Sequence, residues 1–201
     1  MSGIFEASPG ATPLEPEDQE GLIPTWIATR HDLNRAEQQN IATAAVWLRG
    51  RSWTISDLSQ AWLKDLHRRM FGTVWVWAGS YRRTDTNLGI AWFEIPAAVK
   101  QLIQDLGTQS ASRDWSADEI AVRFHHQLVC IHPFPNGNGR HARLSADALV
   151  EMLGAGRFEW GAGSRLLDAG RAREEYLDAL RHADRGDFAA LLRFARSRPA
   201  R

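Results

Sequence analysis

Residues 131–143, which read IHPFPNGNGRHAR, are the segment that most constrains how this chain folds. An apolar helical stripe leads into it. The proline after His132 must end that helix, because proline cannot donate the next backbone hydrogen bond. Gly137 and Gly139 allow the positive φ angles that a nest of backbone N–H groups requires. A new helix is predicted from about Arg140, with its positive end directed at that nest.

The same segment combines groups that suit a polyphosphate held beside a general base. A neutral imidazole at His132 can accept a proton from a hydroxyl at neutral pH. Arg140 and Arg143 are three residues apart, so both guanidinium groups can reach phosphate oxygens from the first helical turn. Asn136 and Asn138 add polar groups. Each feature alone is common in structural loops, and their concentration in one junction favours a functional site.

Composition bounds the class of protein. The chain has 201 residues, of which 44% are hydrophobic and 24% charged, and this suits one compact domain. Its formal net charge is zero, so direct binding of nucleic acid through a global basic field is not expected. The single cysteine, Cys130, excludes an internal disulfide, and its apolar neighbours predict a buried, inert thiol. No apolar run is long enough to span a membrane, and the first residues lack the basic and apolar regions of a secretory signal, so a cytoplasmic protein is expected.

Apolar periodicity predicts an all-α domain over residues 31–196, between an arm at 1–30 and a tail at 197–201. Residues 74–94 are the exception, since loose alternation around Asn87-Leu88-Gly89 predicts a small β-hairpin or flap. Helices are predicted at 32–47, from an N-cap at Ser56 to Gly72, at 96–106, from a capping box at Ser116 to 131, and at 140–153, 168–183 and 187–196.

The segment HPFPNGNGRHAR resembles the signature of the Fic family, H-x-F-x-(D/E)-G-N-G-R-x-x-R. VWVWAGSYRRTDTNLGI (74–90) and EEYLDALRHADRGDFAALLRF (174–194) are similar to the family's flap region and closing helices. The likeness therefore covers about residues 31–196, and the overall pattern resembles the subgroup called mobile mystery protein B. It implies an all-helical Fic fold with a small β-hairpin flap.

The resemblance also implies a reaction, in which AMP passes from ATP to a Ser, Thr or Tyr hydroxyl of a target protein. ATP and Mg²⁺ would be the cofactors. His132 would be the base, and Arg140 and Arg143 would neutralise phosphate charge, with Arg143 at the γ-phosphate. The other implied residues are a phosphate cradle at Gly137, Asn138 and Gly139, Tyr176 near the adenine, and a target-docking flap at Thr86, Asn87, Leu88, Gly89 and Ile90.

The sequence departs from the family signature at the metal position, where Asn136 stands in place of an acidic residue. An amide oxygen can ligate Mg²⁺ but does not neutralise it. Two alternatives therefore stay open beside AMP transfer. One is a Fic-fold enzyme of altered chemistry, such as phosphoryl transfer or removal of AMP. The other is a non-catalytic module that binds a nucleotide or a partner protein.

The N-terminal arm resembles an inhibitory helix of the family, (S/T)-x-x-x-E-(G/N). Glu20-Gly21 fits this pattern, although Pro16 replaces the Ser or Thr. The resemblance predicts that Glu20 pairs with Arg143, and the alternative is a solvated acidic helix. Residues 2–6 are a second, weaker match. An antitoxin-like regulator encoded nearby is a partner suggested by family analogy alone.

Overall fold

The computed structural model describes residues 16–112, 114–161 and 171–197. Within these ranges the chain is helical, with two additional 3-10 turns at Ile55–Asp57 and Trp92–Glu94. The predicted all-α class is thus confirmed for the described part. The helices are α1 (Pro16–Gln19), α2 (Arg30–Arg49), α3 (Gln60–Phe71), α4 (Ile95–Ala111), α5 (Ala117–Ile131), α6 (Asn138–Met152), α7 (Arg171–Ala183) and α8 (Ala189–Arg196).

Helices α5 and α6 form the centre of the domain and carry the 132–137 loop between them. α5 packs against α6, α4 and α8, while α2 packs on α3 and α7 on α8. Phe124 and Leu128 of α5 and Leu149 of α6 are almost fully buried. Burying one such side chain stabilises the fold by about 1.5–3 kcal/mol. The loop that joins the two helices is therefore anchored at both ends by the core.

Helix starts follow local capping, and one prediction was wrong on this point. α3 begins after Ser59, whose hydroxyl accepts a hydrogen bond from the Trp62 N–H at 3.1 Å. Ser56 instead lies in a 3-10 turn, where Thr54 N–H donates to the Asp57 carboxylate at 2.8 Å. Thr54 and Asp57 therefore cap this separate 3-10 turn, and α3 starts only after Ser59. Ser116 caps α5 as predicted.

The predicted β-hairpin at 74–94 does not form in the described structure, which contains no strand and only an isolated antiparallel bridge between Leu22 and Trp75. Side chains take the polar backbone groups of this segment instead of a cross-strand ladder. The Arg82 guanidinium donates to the carbonyl oxygens of Thr84, at 2.9 Å, and Ile90. Asp85 accepts from Trp92 N–H at 2.9 Å. The segment is therefore a side-chain-tethered loop.

The described part of the N-terminal arm is attached to the domain. Trp77 Nε1 donates to the carbonyl oxygen of Asp18 at 2.9 Å, and Ile23 N–H donates to Val74 at 2.8 Å. Residues 1–15, with the second inhibitory match at 2–6, lie outside the described residues. So do residues 168–170 of a predicted helix and 198–201 of the predicted tail. Among the helices described, none has the length and apolar character to cross a membrane.

Candidate active site

His132 sits at the sharp reversal between α5 and the following loop. It is the C-cap of α5 with φ 54°, a left-handed conformation that is strained for a non-glycine residue. Arg82 fixes this conformation, because its Nε donates to the His132 carbonyl at 2.8 Å and its backbone N–H donates to Pro133 at 2.9 Å. The loop before the flap thus holds the backbone of the histidine in place.

The surroundings of His132 set its tautomer and its charge. Nδ1 lies 3.3 Å from the carbonyl oxygen of Val129 and must donate to it, so the lone pair resides on Nε2. The pKa of His132 is lowered to about 4, mainly by burial; the Val129 hydrogen bond opposes this shift and the positive charge of Arg82 adds to it. The imidazole is therefore neutral at pH 7 and can accept a proton on Nε2.

The flap segment (residues 86–93) closes over this histidine at Gly89. Gly89 has φ 101°, and a Cβ added there would lie 2.6 Å from His132 Cβ and 2.7 Å from Arg82 Nη2. Only glycine fits this approach without displacing its neighbours. Of the predicted docking residues, Leu88 and Gly89 line the main cavity. Thr86 instead bonds within the segment, to the carbonyl oxygen of Leu88 at 2.6 Å.

The start of α6 has one of the two positive φ angles expected for the predicted backbone nest, since Gly139 lies inside the helix and only Gly137 is left-handed. Gly137, the N-cap, has φ 79°, and a Cβ there would meet the Phe71 ring at 2.6 Å. The Asn138 side chain does not face the nest. It is buried and bonds the backbone of Phe134 twice, accepting from N–H at 2.9 Å and donating to the carbonyl at 2.8 Å. Asn138 thus closes the loop, while its backbone belongs to the helix start next to Gly139.

Arg140 is held by a carboxylate that the sequence analysis missed. Its Nη1 lies 2.5 Å from Oε2 of Glu37, and its guanidinium lies 4.8 Å from the centre of the Phe71 ring. Glu37 is buried on α2, and its second oxygen accepts from Trp75 Nε1 at 2.7 Å. A charged residue on the apolar face of α2, four residues after Leu33, was the available signal. The pair fixes the orientation of Arg140.

Arg143 contacts the residue that was predicted to lie near an adenine. Its guanidinium lies 5.2 Å from the centre of the Tyr176 ring, and the Tyr176 hydroxyl is 3.0 Å from Nε2 of His125. Burial raises the pKa of Tyr176, so the phenol stays protonated. Tyr176 therefore supports Arg143 and lines the cavity at the same time.

These groups share one cavity of about 570 Å³, a size typical of small-molecule sites. Asp184 is the one carboxylate among its described lining residues. Cys130 also lines it and is exposed, contrary to the predicted burial. Its sulfur is nevertheless partly covered, and this burial, with Asp184 beside it, raises the pKa of the Cys130 thiol to about 11. Five arginines among the described lining residues make the wall strongly basic and suited to a polyanion: Arg30, Arg140, Arg143, Arg173 and Arg181.

The predicted inhibitory pair between Glu20 and Arg143 does not form. Glu20 is exposed, just after the short helix α1, and the described structure gives it no ion pair. The backbone on either side is committed elsewhere, because Gly21 packs against the Trp77 ring. This prediction was therefore wrong for the conformation described, in which Glu20 faces solvent.

The donor set at Asn136 does not fit a Mg²⁺ site. Its Oδ1, the predicted ligand, accepts from the Gly137 N–H at 2.6 Å and faces Nη2 of Arg140 at 3.4 Å. Its carbonyl oxygen lies 3.1 Å from Nε2 of His67. A hard divalent cation prefers carboxylate or phosphate oxygens, and here the oxygen is turned toward two donors. No step of the chemistry is therefore assigned to a metal bound by this residue.

Comparison with known proteins identifies the family. The model of the Fic/DOC family matches residues 57–150. The "Probable protein adenylyltransferase y4lH" of Sinorhizobium fredii is 32% identical over 143 residues, which are 67% of this chain and 70% of that protein. The "Protein adenylyltransferase Fic" of Nematostella vectensis is 30% identical over 156 residues, which are 73% of this chain but only 32% of that protein. The chain thus spans about a third of that animal relative.

A solved structure shares the fold. The crystal structure of BepC, a VirB-translocated Bartonella effector protein from Bartonella tribocorum with bound AMPPNP, aligns with a TM-score of 0.63 at 18% identity. The alignment covers 93% of this chain and 100% of that one. At this identity the likeness concerns the fold alone.

Proposed function

This chain belongs to the Fic/DOC family, and on that premise we propose that it is a protein adenylyltransferase, which transfers AMP from ATP to a Ser, Thr or Tyr hydroxyl of a target protein. The observation that carries the proposal is the neutral His132, with its lone pair on Nε2, in one cavity with two motif arginines. The names of the relatives at about 30% identity support the same reaction.

The proposed reaction is a single displacement at phosphorus. Nε2 of His132 accepts the proton of the target hydroxyl, and the hydroxyl oxygen attacks the α-phosphorus of ATP. The bond between the α-phosphorus and the bridging oxygen breaks, and pyrophosphate leaves with both bonding electrons. The start of α6 and Arg140 would hold the phosphates, with Arg143 at the γ-phosphate. Mg²⁺ that enters with ATP would be carried by the phosphates.

Control of this activity would not come from Glu20 in the conformation described. We therefore expect a separate regulator protein, if the activity is controlled at all. The target would dock along the flap segment, where Leu88 and Gly89 border the cavity. Because this segment lacks a regular strand, docking would use side chains as well as main-chain pairing.

The function is tested with ATP labelled at the α- or at the γ-phosphate, each incubated with the protein in a cell extract. Transfer of α-label to protein is expected. Transfer of γ-label would instead show phosphoryl transfer, and no transfer of either label would favour a non-catalytic binding module. Both outcomes would contradict the proposal.

Replacing Gly89 with alanine is expected to lower the rate of transfer about 10- to 100-fold, because a misplacement of about 1 Å at a reacting group costs that much. The new Cβ would push against His132 and Arg82. The rate of α-label transfer and the thermal midpoint measure the effect. Gly107→Ala is the matched control, since a Cβ at Gly107 meets nothing within 4 Å. Equal rates in the two variants would show that the close approach is irrelevant.

Replacing Asn136 with aspartate is expected to lower the Mg²⁺ concentration needed for half-maximal transfer by about tenfold. A carboxylate supplies the charge that Mg²⁺ prefers and the amide lacks. The rate is measured against Mg²⁺ at saturating ATP. Asn40→Asp adds the same charge on α2, where Asn40 bonds Thr73, and should change nothing. Loss of activity in Asn136→Asp would show that the amide serves a different geometry.

A further inference from the structure

Three potential metal ligands meet at the wall of the main cavity. His126 and Cys130 are four residues apart on α5, so both side chains lie on one helical face. Asp184 follows directly after α7 and approaches the same face. Nε2 of His126 lies 2.8 Å from Oδ1 of Asp184 and 3.5 Å from the Cys130 sulfur. The sulfur lies 3.9 Å from Oδ1 of Asp184. None of these side chains is used in the proposed transfer.

These separations approach those within a tetrahedral zinc site. With Zn–S about 2.3 Å and Zn–N and Zn–O about 2.0–2.2 Å, ligand atoms in a tetrahedron lie about 3.4–3.6 Å apart. The sulfur already has nearly this spacing from both partners. Only the distance from His126 to Asp184 must open. The Asp184 side chain is 58% exposed and lies beyond the end of α7, so it can rotate outward.

We propose that His126, Cys130 and Asp184 bind a Zn²⁺ ion. One thiolate, one imidazole and one carboxylate match zinc in ligand type, whereas Mg²⁺ and Ca²⁺ prefer oxygen ligands alone. The thiolate and the carboxylate together neutralise the ion, and the thiol proton passes to the buffer. Three protein ligands leave the fourth position for water or for a donor atom of a bound molecule.

The proposed zinc site lies on the wall of the cavity, so a bound ion would add a contact for a molecule in the cavity. Val129, Leu177 and Leu180 line the cavity beside the cluster, while Arg140 and Arg143 line it as well. The open position of the zinc would therefore face the space in which a small molecule binds. A nitrogen donor of such a molecule could complete the tetrahedron. This inference does not depend on the proposed transfer reaction, and direct metal binding tests it separately.

Without a metal, the same residues form a hydrogen-bonded pair of His126 and Asp184 with a thiol beside it. If these contacts are hydrogen bonds alone, an added metal ion should form no bond to the Cys130 sulfur. The two interpretations differ in one spectroscopic property. Cobalt bound to a thiolate in a tetrahedral site gives a sulfur-to-metal charge-transfer band, and Cys130 is the only cysteine in the sequence.

The experiment is a Co²⁺ titration of the full chain, followed by displacement with Zn²⁺. We expect a charge-transfer band that saturates at one Co²⁺ per chain and disappears when one equivalent of Zn²⁺ is added. Cys130→Ser should remove the band. Cys130→Ser and Asp184→Asn should each weaken Zn²⁺ binding, measured by calorimetry, by at least about tenfold, since even the loss of a residue that only hydrogen-bonds a metal ligand costs about 10- to 100-fold.

His182→Ala is the matched control. The His182 side chain pairs with Asp178 on α7 and with Asp187 after it, so its removal should leave Zn²⁺ binding unchanged. Circular dichroism verifies that each variant is folded. Absence of the band in the wild-type protein would overturn the proposal. Equal Zn²⁺ affinity of the wild-type and Cys130→Ser proteins would overturn it as well, because Zn²⁺ would then bind elsewhere.

Discussion

Replacement of His132 by alanine is expected to reduce AMP transfer by about a thousandfold while ATP binding stays within about twofold. A positioned general base contributes about 10²–10⁴ to a rate, and the neutral Nε2 of His132 is the group placed to accept the target's proton. The proposed phosphate contacts come from α6 and should not be altered by the change. His182→Ala removes a partly exposed histidine that does not line the cavity, and this variant should transfer at the wild-type rate.

Single-turnover rates with α-labelled ATP, together with ATP affinity from calorimetry, measure this effect. The pH profile gives an independent measurement. Because burial lowers the pKa of His132 to about 4, the imidazole stays unprotonated above that value. The rate of the wild-type protein should therefore be level between pH 6 and 8, without a decline centred near 6.5. Transfer by His132→Ala at close to the wild-type rate would mean that another group is the base.

The free energy of unfolding is expected to fall steeply between pH 6.5 and pH 4. Burial holds the pKa of four histidines below the unfolded value of about 6.5, so only the unfolded chain binds their protons in this interval. The pKa of His125 is about 3, those of His132 and His141 are about 4, and that of His67 is well below its usual value. Unfolding thus takes up protons, and acid favours the unfolded state.

One buried carboxyl works in the opposite direction. Burial raises the pKa of Asp147 to about 6, against the attraction of Arg157, so the folded state binds one proton here that the unfolded state releases above about pH 4. Near pH 5, unfolding takes up about four protons at the histidines and releases about one at Asp147, a net uptake of about three. The free energy of unfolding should therefore fall by about 4 kcal/mol for each pH unit of acidification. Since the free energy of unfolding of a domain is only about 5–15 kcal/mol, the protein should be unfolded once the pH has been lowered to about 4.

Urea unfolding at pH 7, 6 and 5 measures this dependence. His141→Gln should remove one proton and reduce the slope by about 1.4 kcal/mol per pH unit. His31→Gln, at an exposed position, should keep the wild-type slope. A free energy of unfolding that is constant from pH 7 to pH 5 would show that these histidines are not buried in the neutral form.

Local rules predicted much of the fold. The proline at 133 and the serine at 116 define the two ends of α5, and Gly137, with its positive φ, defines the start of α6. Because those signals are local, the junction around His132 could be located from the sequence. The family resemblance placed Arg140 and Arg143 beside it, and the structure brings all three to one cavity.

Long-range partners could not be predicted in the same way. Arg82 and Glu37 reach the site from residues that are 50 and 103 positions away from His132 and Arg140 respectively. Their roles depend on how α2 and the loop before the flap approach the junction between α5 and α6, which no local pattern specifies. The prediction of a hairpin was wrong for a related reason. The Arg82 guanidinium donates hydrogen bonds to the carbonyl oxygens of Thr84 and Ile90, which would otherwise be free to pair with a neighbouring strand. The predicted Glu20 ion pair was wrong because the sequence pattern does not specify where the arm attaches. The residues beside Glu20, Asp18 and Gly21, contact Trp77 instead.

Tandem mass spectrometry of protein modified in the presence of ATP tests the central claim most directly. Modified peptides should carry one adenylyl group on a Ser, Thr or Tyr side chain, and the same peptides should be unmodified after incubation with His132→Ala. Peptides that carry a phosphoryl group, or that are adenylylated equally by the His132→Ala protein, would contradict the assignment of this chain as an adenylyltransferase that uses His132 as its base.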